Sequence, residues 1–253
     1  MAEPRRGAKK RRLEWRRAWK ALGILVADPK RTEQVFEIVR ALSGPGSERA
    51  FRRFASHPEG QKLLRERPSL LEALSNREAL RKLPPGSFGR AYADFMDRCN
   101  LSAEELVEAD LRARTWHDPA EDDPDRAYFG ARLRDAHDLW HVLTGYGMDE
   151  AGEAANLAFS FAQVPNLGIG LIVLTAAVIG PKSGWFRWQR YLFRAWLRGK
   201  RARLLSVARY EDLLPLPLEE VRRRLGIEPP EKAHPEGIIV AGPSGTRAAN
   251  ATA

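Results

Sequence analysis

The chain has 253 residues, 43% of them hydrophobic, with 42 Lys and Arg against 33 Asp and Glu. That is enough apolar material for one substantial core, and the single cysteine, Cys99, excludes an internal disulfide or a cysteine zinc site. The net charge of +9, carried mainly by Arg, suggests either an acidic partner or a solvated basic surface with no specific partner; among partners an anionic membrane surface ranks above nucleic acid, for which no recognised module is present.

Residues 1–10 read as a disordered basic tail, without the apolar run of a signal peptide. A transit peptide is poorly supported there, because the first twenty residues contain no Ser and carry Glu3 and Glu14. Trp15, Trp19, Leu22 and Val26 then recur at helical spacing, opposite a face of Arg11, Arg12, Arg16, Arg17 and Lys20. Such a stripe packs on a core or lies on a lipid surface. Asp28-Pro29 ends this helix, and the next is expected to bury Val35, Phe36, Val39 and Leu42. Short helices follow through Phe51, Phe54, Leu63, Leu70 and Leu74, and Ser75-x-x-Glu78 and Ser102-x-x-Glu105 have the form of capping boxes. Between them, Leu83 to Arg90 forms a turn feeding a helix with Tyr92, Phe95 and Met96 on one side. An acidic loop over 116–125 leads into the stretch His137-Asp138-Leu139-Trp140-His141.

If 135–143 is helical, His137 and His141 share one face, one turn apart. Thr144-Gly145-Tyr146-Gly147 breaks the helix, Asp149 can cap the following one, and Glu153 falls in its first turn, returning a carboxylate toward the two rings. Two imidazoles with one or two carboxylates suit zinc, iron or manganese better than calcium or magnesium. Asp138 lies about 100° round the helix from His137. It can ligate at a stretch, or serve as an orienting or proton-transfer group, and the sequence leaves both open. The bland alternative is a pair of buried, hydrogen-bonded helix histidines and a Glu that favours a helix N-terminus.

No charged residue occurs over 154–180. Asn156, Gln163, Pro165, Asn166, Gly168 and Gly170 interrupt the stretch, and its cleanly apolar part, 171–179, is too short to span a bilayer. The expectation is a helix, a Pro/Gly break and a second buried helix, forming either core or the wall of an apolar pocket beside the metal. Residues 184–203 form a basic aromatic helix, with Trp185, Trp188, Leu192 and Trp196 on one stripe and Arg187, Arg190, Arg194 and Arg198 on another. That pattern fits a membrane interface or a packed helix with a solvated Arg face. The last helix carries Leu218, Val221 and Leu225 and stops at Gly226. No strand alternation of useful length and no repeat appear, so the chain is expected to be all-α: one helical domain over 11–230, followed by a mostly disordered tail over 231–253.

With these landmarks placed, the chain resembles the coenzyme Q biosynthesis protein 4 family. The matching pieces are Asp28-Pro29-x-Arg31, Leu83-Pro84-x-Gly86-Ser87-x-Gly89-Arg90-x-Tyr92-x-x-Phe95, Arg134-x-x-His137-Asp138-x-x-His141, Gly152-Glu153, Gln163 with Pro165, and Arg222-x-x-Leu225-Gly226-Ile227. The resemblance implies an all-helical protein of ubiquinone biosynthesis, peripheral on a membrane: the inner membrane facing the cytoplasm in a bacterium, or the matrix side of the mitochondrial inner membrane. It also implies a divalent metal, usually zinc, held by His137, Asp138, His141 and Glu153, which would be the catalytic residues as well. The activity implied is decarboxylation, oxidative in character, at ring carbon C1 of a polyprenylated 4-hydroxybenzoate. The partners implied are that polyprenylated aromatic acid and the other ubiquinone biosynthesis enzymes, and a homodimer is expected. A scaffold that binds isoprenoid lipid without catalysis is the alternative. One departure is Tyr210-Glu211, where the family pattern leads one to expect Trp-Glu. A phosphohydrolase built on the doublets His117-Asp118 and His137-Asp138 competes poorly, because it would leave His141 and Glu153 without a role.

Overall fold

The structure is a computed structural model and describes residues 12–114, 123–180, 184–242 and 245–249. The basic tail 1–10, most of the acidic loop and the His117-Asp118 doublet lie outside the described residues. Among the described residues the chain is all-α apart from one C-terminal hairpin. Its first half comprises α1 (Trp15–Ala27), α2 (Thr32–Ala41), α3 (Pro45–Ser56), α4 (Pro58–Glu66), α5 (Leu70–Ser75), α6 (Arg77–Arg81), α7 (Phe88–Cys99) and α8 (Ala103–Ala113). Then come α9 (Pro124–Asp135), α10 (His137–Thr144), α11 (Glu150–Gln163), α12 (Leu167–Ile179) and α13 (Trp185–Arg201). The chain closes with α14 (Tyr210–Leu213), α15 (Leu218–Leu225), α16 (Pro230–Ala233) and the antiparallel pair β1 (Ile238–Gly242) and β2 (Gly245–Ala249).

Local chemistry sets several of these boundaries. Asp123, Asp149 and Asn166 each accept two backbone N–H groups at the starts of α9, α11 and α12, satisfying donors that a helix leaves open at its N-terminus. The expected box at Ser75 is replaced by Asn76, which accepts from Ala79 N at the start of α6. Ser102 does precede α8, but without a side-chain capping bond.

The main core joins α7, α10, α11, α13 and α15. α11 packs most extensively on α13, where Ala151, Ala155 and Ala158 on one helix and Ala195 on the other let the axes approach closely. A second, smaller core holds α1 against α2 through Ala18, Ala21, Leu22, Ile38 and Leu42, with Ile172 of α12 added. A third gathers Phe51, Phe54, Leu63 and Phe129. Between the first two opens a cavity of ≈ 2620 Å³, walled by Leu22, Val35, Val39, Ile169, Val173 and Ala176 and reaching His137, Asp138 and Glu153. That volume exceeds the roughly 300–1,000 Å³ of ordinary small-molecule pockets.

Four expectations change here. In α1 the buried row is Ala18, Ala21 and Leu22, so Trp15, Trp19 and Val26 face outward. Of the two readings of α12 the cavity wall holds and the core does not: Ile169, Val173 and Ala176 line the cavity and Gly168 and Ile172 are buried, while Leu174 and Val178 are each 62% exposed. A helix apolar all round carries no periodic signal to say which side meets protein. Arg198, assigned to a solvated stripe, is 2% exposed. Finally, part of the expected tail is ordered: His234 and Ile239 are buried, and β1 pairs with β2 across five residue pairs, the β-branched run Ile238-Ile239-Val240 being too short to alternate detectably.

Candidate metal centre

The helix carrying the histidines is interrupted once, at Ala136, which separates α9 from α10 so that His137 opens the new helix. His137 and His141 sit on one face with ring centroids 4.9 Å apart. Gly145, left-handed at φ 74°, ends α10, and Asp149 starts α11 with Glu153 in its first turn. Gly152 is required beside it, because a Cβ there would lie 2.1 Å from the carbonyl oxygen of Gly147. The Gly152-Glu153 pair is thus a close backbone approach followed by the group it delivers.

The carboxylate arrives where the spacing placed it. Glu153 Oε2 is 3.5 Å from His141 Nε2 and 3.9 Å from His137 Nε2, and one donor atom from each residue falls within a common 4.8 Å. His141 is fully buried, stacked on Phe95, with its Nδ1 3.0 Å from the carbonyl oxygen of Tyr146. That acceptor places a proton on Nδ1, so in the neutral ring that binds a metal the lone pair is on Nε2, a buried atom with no hydrogen-bond partner. His137 is set the same way by a different group: its Nδ1 lies 3.2 Å from Asp138 Oδ1. Asp138 falls outside the convergent trio and sits where a carboxylate orients a ligating imidazole. Burial opposes charge on His137, but the bond to Asp138 and the Glu153 carboxylate outweigh it and hold its pKa above the ordinary value. Burial likewise opposes charge on Glu153; without an ion, the positive charge that the His141 and His137 rings carry when protonated outweighs it and pulls its pKa below the ordinary range.

This donor set fits a divalent ion. Two neutral imidazole nitrogens and a charged carboxylate converge, each ring has its second nitrogen engaged, and an unpartnered buried nitrogen is a cost that an ion would relieve.

Several supporting residues carried no sequence signal of their role. The last carbonyls of α10 are taken by two arginines: Arg198 donates to Thr144 O at 2.6 Å, and Arg222 donates to Leu143 O at 2.9 Å and Val142 O at 3.1 Å. Arg222 opens a motif noted above, yet its spacing gave no hint of a helix it would cap. Tyr210, the departure from the family pattern, is buried and accepts a bond from Trp140 Nε1 at 2.8 Å, while Glu211 takes both Nη atoms of Arg132 at 2.8 Å. The departure therefore leaves α10 well supported.

Fold and cluster together define an all-helical protein with a two-histidine, one-carboxylate donor set at the wall of a large, mainly apolar cavity. The family model described as Coenzyme Q (ubiquinone) biosynthesis protein Coq4 matches residues 15–231, and the chain belongs to that family. It is 34% identical to the mitochondrial ubiquinone biosynthesis protein coq-4 of Neurospora crassa, over 82% of this chain and 57% of that protein. It is 36% identical to the mitochondrial COQ4 of Yarrowia lipolytica, over 68% of this chain and 63% of that protein. The chain thus spans about three fifths of the length of these two relatives. A crystal structure of a Nostoc punctiforme protein provisionally assigned to ubiquinone biosynthesis superposes with a TM-score of 0.60 at 22% identity, covering 85% of this chain and 99% of that one, and so shares the fold.

Proposed function

We propose that this chain serves ubiquinone biosynthesis as a metal-dependent enzyme that removes the C1 carboxylate of a polyprenylated 4-hydroxybenzoate at a membrane surface, alongside other enzymes of that pathway. The names of its relatives support the pathway. The observation that carries the chemistry is the buried Nε2 of His141, which has no hydrogen-bond partner and lies 3.5 Å from Glu153 Oε2, where Glu153 and His137 line a large cavity with an aliphatic stretch of wall. A ligand for that space needs a charged head at one end and a long apolar body at the other, which describes a prenylated aromatic acid.

His137, His141 and Glu153 would hold the ion, while Asp138 and the Tyr146 carbonyl keep each ring proton on Nδ1. A bound divalent ion would supply positive charge to carboxylate and phenolate oxygens, and oxidative removal would call for iron or manganese in place of redox-inert zinc. The aliphatic side chains of the wall would take the tail and bring C1 within reach of the cluster, turning encounter into positioning. Among the described residues no helix is long and apolar enough to cross a membrane. Surface access is instead supported by Leu174, Val178 and Ile179 of α12 with Trp185 and Phe186 of α13, the last 88% exposed and followed by Arg187 and Arg190.

The test is elemental analysis of the purified protein, followed by carbon dioxide release from a short-tailed prenylated acid with oxygen and each of zinc, iron and manganese supplied. Release is expected with at least one metal, and Glu153→Gln should abolish it while tail binding persists. Tight binding of the acid with no release under any condition would replace the enzyme by a lipid-carrying scaffold.

A further inference from the structure

The turn between α10 and α11 is held from outside by the end of the chain. Arg198, buried on α13, bridges Thr144 O and Glu228 O. Gly145 is packed so closely that a Cβ would lie 2.6 Å from Pro230 Cγ. Tyr146 is fully buried, its ring edge-on to Tyr191 at 6.0 Å and to His234 at 5.6 Å, and its hydroxyl lies 2.8 Å from His234 Nε2. Burial drives the His234 pKa down to about 4 and the Tyr146 pKa up, so a protonated phenol donates to a neutral imidazole.

Tyr146 therefore bonds at both ends: its carbonyl receives His141 Nδ1 and its hydroxyl meets His234. The same turn runs into Gly147, against whose backbone Gly152 is pressed. A displacement of this turn moves the acceptor that aims His141 and the first helical turn that carries Glu153, so both sides of the donor set take their register from it. The family match ends at residue 231, three positions before His234.

We propose that His234 is a positioning residue for the metal centre, fixing through the Tyr146 hydroxyl the turn whose carbonyl aims His141 Nε2 at Glu153 and the ion. The proposal rests on the trio binding metal, and not on the reaction performed there.

The experiment measures zinc affinity by competition with a chromogenic chelator, well below the unfolding temperature, in wild type, Tyr146→Phe, His234→Ala, His234→Gln and the Tyr146→Phe/His234→Ala double variant. Groups bonded directly to a ligating imidazole are worth about 10–100-fold in affinity, so a group one bond further out should be worth about 3–10-fold. Tyr146→Phe and His234→Ala should each weaken zinc by that amount, and the double variant by no more than the worse single, since both break one bond. His234→Gln, which restores an acceptor, should recover most of the loss, and the cobalt-substituted absorption spectrum should shift in the alanine variant and return in the glutamine one. A residue serving stability alone would lower the unfolding temperature of the metal-free protein and leave zinc affinity and the cobalt spectrum unchanged, and that result overturns the proposal. Wild-type protein that binds no metal removes the centre and the proposal together, an outcome distinct from wild-type binding with unmoved variants.

Discussion

Asp138 separates two ways of building this centre, because the resemblance makes it a ligand while the geometry makes it the acceptor for His137 Nδ1. Replacing it with Ala removes that bond and leaves the trio of donor atoms in place. A hydrogen bond to a charged group is worth about 1.5–3 kcal/mol, and the 3.2 Å separation is long for a charge-assisted bond, which selects the lower end of that range. About 1.5 kcal/mol corresponds to roughly a tenfold weaker metal Kd, at the foot of the range for outer partners of ligating histidines. Asp138→Asn keeps an oxygen acceptor without the charge and should lose about half of that energy, roughly a threefold change. His141→Ala and Glu153→Ala remove donor atoms and should fall well below both. The measurement is chelator competition on each variant, with circular dichroism confirming the fold, since Asp138 is buried and its truncation leaves a void. Asp138→Ala losing metal as completely as His141→Ala would make Asp138 a ligand. Asp138→Ala binding like wild type would mean that its bond orients nothing, and stoichiometric metal in a His137→Ala/His141→Ala double variant would remove the site.

In the metal-free protein the raised pKa of His137 adds stability that is complete below 6.5 and lost as pH rises through its folded value, while the lowered pKa of Glu153 adds stability that is complete above 4.5 and lost as pH falls through its folded value. Thermal unfolding without metal should therefore show this pair's contribution whole between pH 4.5 and 6.5, and Glu153→Gln should flatten it. Metal affinity should instead fall as pH drops, because protons compete for the imidazoles; an affinity flat from pH 5 to 8 would contradict imidazole ligation. Ala176→Phe, projecting into the cavity, should weaken binding of long-tailed acid several-fold more than of bare 4-hydroxybenzoate by calorimetry, whereas Gly170→Leu would meet the Phe161 ring, since a Cβ at Gly170 lies 2.9 Å from Phe161 Cε2. Phe186→Ser combined with Val178→Ser should reduce co-sedimentation with anionic vesicles, and salt should reduce it further; equal pelleting of wild type and variant would make this ridge an ordinary surface.

The helices were legible where polar punctuation marked them. Asp149 and Gly226 occupy the ends their chemistry favours, and the helical spacing of apolar and charged residues set the class, whereas Asn166, read only as an interruption, caps α12. Facing was harder wherever large apolar residues ringed a helix. α1 buries Ala18 and Ala21 and leaves Trp15 and Trp19 outside, because the close contact with α2 needs small residues and the sequence cannot declare that need. For α12 the sequence leaves core and cavity wall open for the complementary reason: uniform apolarity matches a cavity wall on one side and an open surface on the other, as found, as well as it matches a core. Arg198 looked solvated from its spacing, but its guanidinium is satisfied by carbonyls of Thr144 and Glu228, 54 and 30 residues away, which no local pattern encodes.

The convergence of His137, His141 and Glu153 depends on one helical turn, one break and one cap, all short in sequence, and was therefore readable. What was not readable is that the two histidines play unequal parts. His141 has no exposed surface, is stacked on Phe95 and is aimed by a main-chain carbonyl, whereas the His137 and Glu153 side chains keep 24% and 32% of theirs and line the cavity. A ligand in the cavity can reach the cluster on the His137 and Glu153 side and not on the His141 side. Loss of His141 should accordingly act through holding the ion, while Glu153, which both donates to the cluster and faces the ligand, joins the holding of the ion to whatever reaction takes place beside it.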